Sequence, residues 1–480
     1  MNVVLLVVDS LRARSLRPDA ADAPHTPFLA RLSRETVAFT QARATECWTL
    51  PTHLSMFTGL LPSAHGAHFR TMAYGQPAPT LAERFSAAGY HTEVVTRNSL
   101  FDGTVPGATR GFQRNTKLLA ALRGPNPLGL LLALSKPRVR RLIRTSGFIN
   151  VLQRDNGAFL DTLSRMVIPA DHLVLDHTLA QMAAHRRAGR PYFFFLNLYD
   201  VHAPYPPRPH SPLRAFTSLA GWVENLMIPR LSTQLGSHAY LRDGFAFSPR
   251  AQAILRDRYR RAIELMDGKL AAFVDAARDA GLLDDTLLVV VADHGEAFGE
   301  HDLFFHDASV YDTHLHVPLW IHHPQCAPAQ VDDVVSTRDL YGLLANVAGG
   351  RGLGGTILDP HARAARPLAL AEHFHNPNVP GARRRYVQDI AAAVLGRRKL
   401  IVRREGAELY DLATDPDESR PDAATVADFA ALCERDGAPT AAIAEASAHL
   451  ARWWQLADLP PLRRDRSRWP ATAVLAQQGA

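Results

Sequence analysis

The chain has 480 residues, of which 47% are hydrophobic and 21% are charged. This composition can bury a large core and excludes a chain that is disordered throughout. The formal net charge of +6 at pH 7 is small for this length. It suits an anionic substrate without requiring nucleic acid, so no nucleic-acid partner is expected.

The cysteines and the first residues predict the cellular setting. Cys47, Cys326 and Cys433 are widely spaced, and neither a disulfide framework nor a cysteine-based zinc site follows from that spacing. The opening stretch MNVVLLVVDS lacks a basic region and has only a short apolar run, which favours a buried strand over a signal peptide. No apolar run approaches the ~20 residues that span a bilayer. We therefore predict a soluble, cytoplasmic protein.

Strand-like and helix-like stretches alternate along the chain. In order they are the strand VVLLVVD, the helix TPFLARLSRETV, the helix and strand TLAERFSAAGYHTEVVTRN, the strand PYFFFLNLYD, the long helix beginning PRAQAILRDRYRRAIELMD, and the strands TLLVVVAD and VPLWIHHP. Consecutive apolar residues are typical of strands that are covered on both faces. Repeated strand, crossover helix and strand predict an α/β fold with a doubly wound, mostly parallel sheet and helices on both faces.

Residues 114–170 interrupt this alternation. They predict a helical insert that is apolar on one side and basic on the other, with the basic residues Arg123, Lys136, Arg138, Arg140, Arg141 and Arg144. We interpret the insert as a lid or packing helix with a solvated basic face. Contact with an anionic membrane surface or an acidic partner is the less favoured alternative.

The last part of the chain has a different pattern. From residue 366 onward, short alternating strands with tight turns predict a small α+β subdomain with an antiparallel sheet, followed by an extended tail. We therefore predict a main domain over residues 1–365 and a C-terminal subdomain over residues 366–480. The sequence leaves open whether the chain forms a homo-oligomer.

Three aspartates follow apolar strands at the point where each strand ends: Asp9, Asp200 and Asp293. Functional side chains gather at the carboxyl ends of the strands in such sheets. Asp293 is followed directly by His294 and then by a glycine that permits a sharp turn. Asp9, Asp293 and His294 together offer two carboxylates and one imidazole, which suit Mn²⁺, Zn²⁺, Mg²⁺ or Ca²⁺. We predict one divalent ion here, with a position open for a fourth ligand or the substrate.

The sequence resembles the sulfatase-like branch of the alkaline phosphatase and sulfatase superfamily. Six segments carry the resemblance in the family's order: NVVLLVVDSLRARSL, TLPTHLSMFTGLLPSAHG, NLYDVHAPYPP, VADHGEAFGEHDLFFHDASVYDTHLHVPLWI, STRDLYGLLANVAG and ELYDLATDPDE. The resemblance implies an alkaline-phosphatase-like sheet, a metal-dependent ester hydrolase and a small anionic ester as substrate. The main domain would then be the catalytic one.

The family's motif also bears on the nucleophile. True sulfatases carry Cys-x-Pro-x-Arg, in which the cysteine is oxidised to formylglycine. In the family register the proline is Pro51, so the nucleophile position is Thr49, and Cys47 lies two residues too early. Cys47 is therefore interpreted as a small buried residue. Thr49 lacks the aldehyde route by which formylglycine expels sulfate, so the resemblance implies phosphoryl transfer with Thr49 as nucleophile and metal ligand.

The resemblance assigns roles to five further residues. His202 matches the family's substrate-site histidine, and His306 stands where sulfatases carry a lysine; both are predicted to handle the leaving group or the substrate charge. His53 stands in place of the family's arginine, Ser10 in place of a second aspartate, and Asn98 at a polar substrate contact. These last three are predicted to bind substrate. The histidine-rich pocket also leaves room for a second metal ion.

The predicted reaction is hydrolysis of phosphate monoesters or diesters, or of phosphonate esters, through a covalent intermediate on Thr49. Three alternatives stay open. The chain could transfer the phospho group to an alcohol, hydrolyse sulfate esters without formylglycine, or act as a binding protein without catalysis.

Overall fold

An eight-stranded sheet forms the centre of the fold. The structure, a computed structural model, describes residues 1–17, 23–117, 171–203, 205, 241, 247–377, 382–404 and 406–456. The strands up to residue 336 are β1 (Asn2–Val8), β2 (Val37–Arg43), β3 (His91–Thr96), β4 (Arg114–Lys117), β5 (Tyr192–Leu198), β6 (Thr286–Ala292), β7 (Ala297–Phe298), β8 (Phe304–Phe305), β9 (Leu319–His322) and β10 (Ala329–Ser336). The sheet order is β10-β2-β9-β6-β1-β5-β3-β4, and β7 pairs with β8 in a separate ribbon.

The central sheet is mostly parallel. Every neighbouring pair in it is parallel except the two pairs made by β9, which runs antiparallel to β6 and to β2. All residues of β1, β5 and β6 are buried. Because alternate side chains of a strand point to opposite faces, both faces of the sheet centre must be covered.

Two groups of helices cover these faces. The helices are α1 (Pro27–Glu35), α2 (Thr49–Thr58), α3 (Pro62–His65), α4 (Leu81–Ala87), α5 (Asp171–Arg187), α6 (Pro249–Asp279), α7 (Asp312–Leu315), α8 (Leu340–Ala348), α9 (Pro360–Ala365), α10 (Val426–Arg435) and α11 (Thr440–Leu456). Helices α1 and α5 pack against α6, whereas α2 and α4 pack against α8. The prediction of a mostly parallel, doubly wound sheet with helices on both faces is confirmed.

A second sheet follows in the last part of the chain. It contains β11 (Leu368–His373), β12 (Ile390–Leu395), β13 (Arg398–Arg403), β14 (Gly406–Asp411) and β15 (Asp422–Ala423), all antiparallel. One face, with Ala392 and Ile401, joins the main core, and the other, with Ala393 and Leu400, packs under α10 and α11. The predicted antiparallel sheet is confirmed, and the domain boundary at residue 366 stays a prediction.

The structure bears on only part of the predicted insert. Its first residues, Arg114–Lys117, form β4 at the edge of the central sheet beside β3, so the helical prediction is wrong for them. Residues 118–170 lie outside the described residues, as does the tail after residue 456. The lid and the membrane contact therefore stay predictions. Among the described residues, no helix is both long and apolar enough to cross a membrane.

Candidate active site

The ends of β1 and β6 bring the predicted metal ligands together. In the parallel register Val8 lies beside Ala292, so the next residues, Asp9 and Asp293, are neighbours at one edge of the sheet. Ligand atoms of Asp9, Asp293 and His294 all lie within 4.8 Å of one another, and the three side chains are fully buried. We call these three residues the acidic cluster.

Two backbone features hold the carboxylates in place. Ser10 has a φ of 63°, a left-handed conformation that costs a residue other than glycine about 1–2 kcal/mol. In that conformation its N–H donates to Asp293 Oδ1 at 3.1 Å, and its hydroxyl donates to Asp9 Oδ1 at 3.1 Å. Gly295, which follows His294, packs closely against the backbone of Thr313. A Cβ on residue 295 would lie 2.1 Å from the Thr313 carbonyl oxygen. Only glycine allows this approach.

The imidazole of His294 is oriented toward the carboxylates. Its Nδ1 lies 2.9 Å from the Gly295 carbonyl oxygen, which accepts a hydrogen bond and therefore requires the proton on Nδ1. The other nitrogen, Nε2, lies 3.6 Å from Asp9 Oδ1 and 3.5 Å from Asp293 Oδ2. Its lone pair is thus available to a cation between the two carboxylates.

The acidic cluster fits a divalent cation. Asp293 Oδ2 is buried and has no hydrogen-bond partner among the described residues. Burial raises the pKa of Asp9 to about 7, with the Asp293 charge as the second cause, and burial also raises the pKa of Asp293 to about 7. Burial lowers the pKa of His294 to about 4. Two carboxyls and a neutral imidazole, all buried away from water, offer the oxygen and nitrogen donors that bind divalent ions.

Thr49 is the first residue of α2 and faces the acidic cluster. Its Oγ1 lies 3.3 Å from His294 Nε2. Pro51 fits in the first turn because backbone N–H groups there have no partner within the helix, and Gly59, with a φ of 71°, ends the helix. The partial positive charge of a helix N-terminus favours a negatively charged oxygen at this position.

Cys47 lies in a different cluster from Thr49. Its sulfur is 3.5 Å from His373 Nδ1, and its backbone N–H donates to Glu46 Oε1 at 2.9 Å. The side chain is fully buried, in agreement with its interpretation as a buried residue. Burial, with the Glu46 charge as the second cause, raises the pKa of the thiol well above its usual range.

His53 and Asn98 form hydrogen bonds to Thr49 and to the acidic cluster, respectively. His53 Nδ1 donates to the Thr49 carbonyl oxygen at 2.7 Å, and its Nε2 lies 3.5 Å from the Asn197 amide. The amides of Asn98 and Asn197 each donate to Asp9 Oδ2 at 3.3 Å. These contacts orient Thr49 and Asp9. Substrate contacts of His53, Asn98 and Ser10 stay predictions.

His306 lies over the acidic cluster. Its ring centre is 4.5 Å from that of His294 and 4.8 Å from that of His202. Its Nδ1 lies 3.0 Å from Glu296 Oε1, and the hydroxyl of Tyr205 donates to Glu296 Oε2 at 2.7 Å. Burial lowers the pKa of His306, but the charge of Glu296, the hydrogen bond to it and the charges of Asp307 and Asp9 together outweigh burial and raise the pKa to about 9. His306 can therefore carry a positive charge beside the acidic cluster.

Two residues after β5, His202 and Asp200, lie in different environments. His202 reaches the site through His306, and its ring stacks on Tyr199 at 4.3 Å between centres. Asp200, by contrast, pairs with Arg97 at 2.9 Å and with Lys269. The expectation that Asp200 joins the other two strand-end aspartates is therefore wrong, because its charge is already compensated by two cations.

Sequence reasoning missed two residues of this site, Asn197 and Glu296. Asn197 is a fully buried amide within β5, and Glu296 is a fully buried acid just after β6. The signal for Asn197 was one polar residue in the apolar run FFFLNL. No local signal marked the contact of Glu296 with His306, because it depends on how the loop after β6 folds back.

Comparisons with known proteins found a family model, a sequence relative and two solved structures that resemble this chain. The Sulfatase family model matches residues 1–350. A choline-sulfatase from Rhizobium meliloti (strain 1021) is 25% identical over 361 residues, which cover 72% of this chain and 67% of the relative. The phosphonate monoester hydrolase SpPMH from Silicibacter pomeroyi has a TM-score of 0.61 at 20% identity, covering 90% of this chain and 94% of that one. The phosphonate monoester hydrolase of Agrobacterium radiobacter also has a TM-score of 0.61, at 21% identity, covering 94% and 95%.

The match to the family model extends over well more than half of the chain and includes all four residues Asp9, Thr49, Asp293 and His294. The solved structures share the fold, and members of this family generally use a divalent metal ion. The chain therefore belongs to the sulfatase family and is an ester-hydrolysing enzyme.

Proposed function

We propose that this enzyme hydrolyses phosphate monoesters, phosphate diesters or phosphonate esters with Thr49 as its nucleophile. One observation carries the proposal: Thr49 Oγ1 lies 3.3 Å from His294 Nε2 at the start of α2. The nearest cysteine in the sequence, Cys47, turns its sulfur to His373 instead. Both contacts support a hydroxyl as the nucleophile, at the position that formylglycine takes in the family's motif.

Asp9, Asp293, His294 and Thr49 are the residues that would hold one divalent ion, Mn²⁺, Zn²⁺, Ca²⁺ or Mg²⁺. When bound, such an ion supplies positive charge that favours ionisation of a hydroxyl and offsets charge on a phosphoryl oxygen. The chain's own residues fix the geometry. Ser10, Asn98 and Asn197 orient the two carboxylates through the hydrogen bonds described above. The proposal needs no second ion.

The reaction proceeds in two displacements at phosphorus. Thr49 Oγ1 gives its proton to solvent and forms a bond to phosphorus, while the bond from phosphorus to the leaving oxygen breaks. The leaving oxygen takes a proton from the histidine pair, His202 or His306. Water then forms a new bond to phosphorus and gives a proton back to that histidine, while the bond to Thr49 breaks and Thr49 Oγ1 takes a proton from solvent. Two inversions leave the configuration at phosphorus unchanged.

The histidine pair suits the role of proton donor and charge partner. His306 is held by Glu296 at 3.0 Å, and this carboxylate keeps it cationic near neutral pH. A cationic imidazole stabilises the negative oxygens of the transition state and carries a proton that it can give to the leaving group. The likeness in fold to two phosphonate monoester hydrolases agrees with phosphorus esters as substrates.

A second candidate function is sulfate ester hydrolysis without formylglycine. The identity with a choline-sulfatase favours it. It requires Thr49, or a water molecule, to displace the alcohol at sulfur without the aldehyde route. Transfer of the phospho group to an alcohol is the third candidate, and the feature expected to favour it, the insert over residues 114–170, lies largely outside the described residues.

Paired ester assays separate these candidates. Nitrophenyl phosphate, a bis-nitrophenyl phosphate and a phenylphosphonate ester are compared with nitrophenyl sulfate, with each metal ion added in turn. We expect the best phosphorus ester to exceed the sulfate by roughly 10²-fold or more in kcat/KM, about 2.7 kcal/mol. Thr49→Ala should lose at least that factor and retain metal, and Thr49→Ser should keep a measurable part. Added alcohols that become phosphorylated would identify a transferase.

The matched control is Thr58→Ala, which removes a buried hydroxyl from the other end of the same helix, where its only hydrogen-bond partners among the described residues are the Leu54 carbonyl and the Leu60 amide. Its turnover should stay close to that of the natural protein. Faster turnover of sulfate than of every phosphorus ester, or unchanged phosphoryl turnover in Thr49→Ala, contradicts the proposal. Mass analysis of the peptide with Cys47 should find an unmodified thiol.

A further inference from the structure

A second buried cluster lies outside the proposed active site. It contains Glu46, Cys47 and His373, whose ligand atoms all lie within 4.8 Å of one another. Glu46 and Cys47 precede α2, whereas His373 ends β11 of the second sheet. All three side chains are at most 1% exposed.

We propose that Glu46, Cys47 and His373 bind a structural zinc ion. A thiolate, an imidazole and a carboxylate are the ligands that Zn²⁺ prefers, whereas Mg²⁺ and Ca²⁺ require oxygen donors. Cys47 Sγ lies 3.5 Å from His373 Nδ1, close to the ~3.6 Å that separates sulfur and nitrogen around a tetrahedral zinc ion. Glu46 Oε1 lies 2.8 Å from the same nitrogen, so this pair opens by about 0.5 Å when zinc replaces the proton.

A fourth donor can come from a neighbouring cavity. His373 and Asp307 line this small cavity. This cavity offers room for a water ligand or for the Asp307 carboxylate as the fourth donor. Zinc binding releases the thiol proton to solvent and moves the Nδ1 proton to His373 Nε2, and the Cys47 thiolate and the Glu46 carboxylate then balance the two positive charges of the ion.

The position of this site gives it a structural role. Cys47 lies two residues before Thr49, and Asp307 follows His306 directly. A zinc ion bound here would tie the second sheet, through His373, to the segment that begins α2. It would thereby fix the start of the helix that carries Thr49. The inference requires that Cys47 keep its thiol, but it does not require Thr49 to be the nucleophile, because none of the three ligands belongs to the acidic cluster.

X-ray absorption at the zinc edge tests the proposal on the unaltered full-length protein, purified with zinc supplied. We expect one sulfur neighbour at about 2.3 Å. Only the cluster of Glu46, Cys47 and His373 contains sulfur, so zinc in the acidic cluster cannot give this signal. A zinc spectrum with nitrogen and oxygen neighbours alone, or protein that retains no zinc, overturns the proposal.

Variants then assign the sulfur to Cys47. Cys47→Ser should lose one equivalent of zinc and the thiolate-to-metal absorption band of the cobalt-loaded protein, and His373→Gln should lose zinc as well. Cys433→Ser is the matched control, because Cys433 is also buried but lies in the apolar core under α10 and α11. It should keep both signals. Asp293→Asn should lose metal from the acidic cluster and keep the thiolate band. A band that survives in Cys47→Ser overturns the assignment, and the absorption spectrum of the unaltered protein remains decisive if a variant fails to fold.

Discussion

Two buried groups of charged residues in this protein differ in how their charges are compensated. The acidic cluster combines two carboxyls with a neutral histidine, and among the described residues neither carboxylate pairs with Lys or Arg. The second group, which we call the paired cluster, consists of Arg43, Asp312, Lys399 and Glu418. Arg43 contacts Asp312 at 2.8 Å, and Lys399 contacts Asp312 at 2.7 Å and Glu418 at 2.6 Å.

Two buried aspartates thus have pKa values shifted in opposite directions. Burial raises the pKa of Asp293 to about 7. Burial acts in the same direction on Asp312, but the charges of Arg43 and Lys399 outweigh it and hold the pKa of Asp312 well below its usual range. An uncompensated buried carboxylate is costly. We therefore interpret the acidic cluster as a binding site for a cation. The paired cluster needs no ion and serves to join β13 of the second sheet to the central sheet.

The largest expected effect is the loss of activity when the acidic cluster is altered. Asp293→Asn keeps the Oδ1 acceptor for the Ser10 and His294 amides and neutralises only the unpartnered Oδ2. Loss of this ligand should remove the metal ion and lower kcat/KM by roughly 10⁴-fold, about 5.5 kcal/mol. Ester assays and metal analysis on the same sample measure both. An inactive variant with a full equivalent of metal at this site would refute the ligand assignment.

The same substitution in the paired cluster should act on stability instead. Asp312→Asn leaves Lys399 and Arg43 with an incomplete counter-charge in a buried place, and such losses cost about 3–5 kcal/mol. Urea unfolding should show this loss, with metal content unchanged. Asp417→Asn is the control, because its partner Arg14 is about half exposed and such pairs contribute ~0–1 kcal/mol. Equal stability of Asp312→Asn and Asp417→Asn would mean that the paired cluster contributes little.

A third variant tests whether the Glu296 carboxylate, which lies outside the acidic cluster, contributes to catalysis through its contact with His306. Glu296→Gln keeps the shape of the side chain but removes the charge beside His306. We expect kcat to fall by about 10–100-fold, the usual range for groups that orient others at a metal site, with metal retained. The fall should come with a lower pKa on the limb of the pH–rate profile that reports the acid. Glu300→Gln, which alters the partner of Arg12, serves as the control. An unchanged pH profile would leave Glu296 with a purely structural role.

The smallest expected effect is the pH dependence of stability after chelation. Asp9 and Asp293 have pKa values of about 7 in the folded, metal-free protein and ordinary values of 3.8 when unfolded. The folded state therefore holds protons that the unfolded chain releases between pH 4 and pH 7. The stability that these bound protons contribute is fully present below pH 4 and is lost as pH rises through 7. The free energy of unfolding then falls by up to ~1.4 kcal/mol per pH unit for each group.

Comparison of chelated natural protein with chelated Asp293→Asn isolates this slope, because every other group is common to both. The natural protein should lose stability faster as pH rises, and the variant should be the more stable of the two at pH 7. Parallel stability curves would show that the two carboxyls are ionised without a cation. With metal bound the slope should shrink or reverse, because the ion displaces the protons.

Sequence reasoning reached the fold and much of the site for identifiable reasons. Consecutive apolar residues in β1 and β6 marked strands covered on both faces, and the polar residues that follow them, Asp9 and Asp293, marked the site edge. It could not separate Asp200 from these two, because the compensating cations, Arg97 and Lys269, come from distant parts of the chain. The Glu46–Cys47–His373 cluster was also invisible, since His373 lies 326 residues after Cys47 and 327 after Glu46.

The sheet order sets when the metal-binding edge can assemble during synthesis. Strand β1 pairs with β5 and β6, and Ser10 contacts Asp293 at a sequence separation of 283 residues. At ordinary translation rates, roughly 15–60 s separate the emergence of these two residues from the ribosome. Until β5 is synthesised, β1 has neither of its partners, and it lacks β6 for the whole interval, so that the fully apolar strand VVLLVV keeps at least one open edge. Nascent chains shorter than about 290 residues should therefore depend on chaperones and be unable to retain metal at the acidic cluster, whatever their later stability.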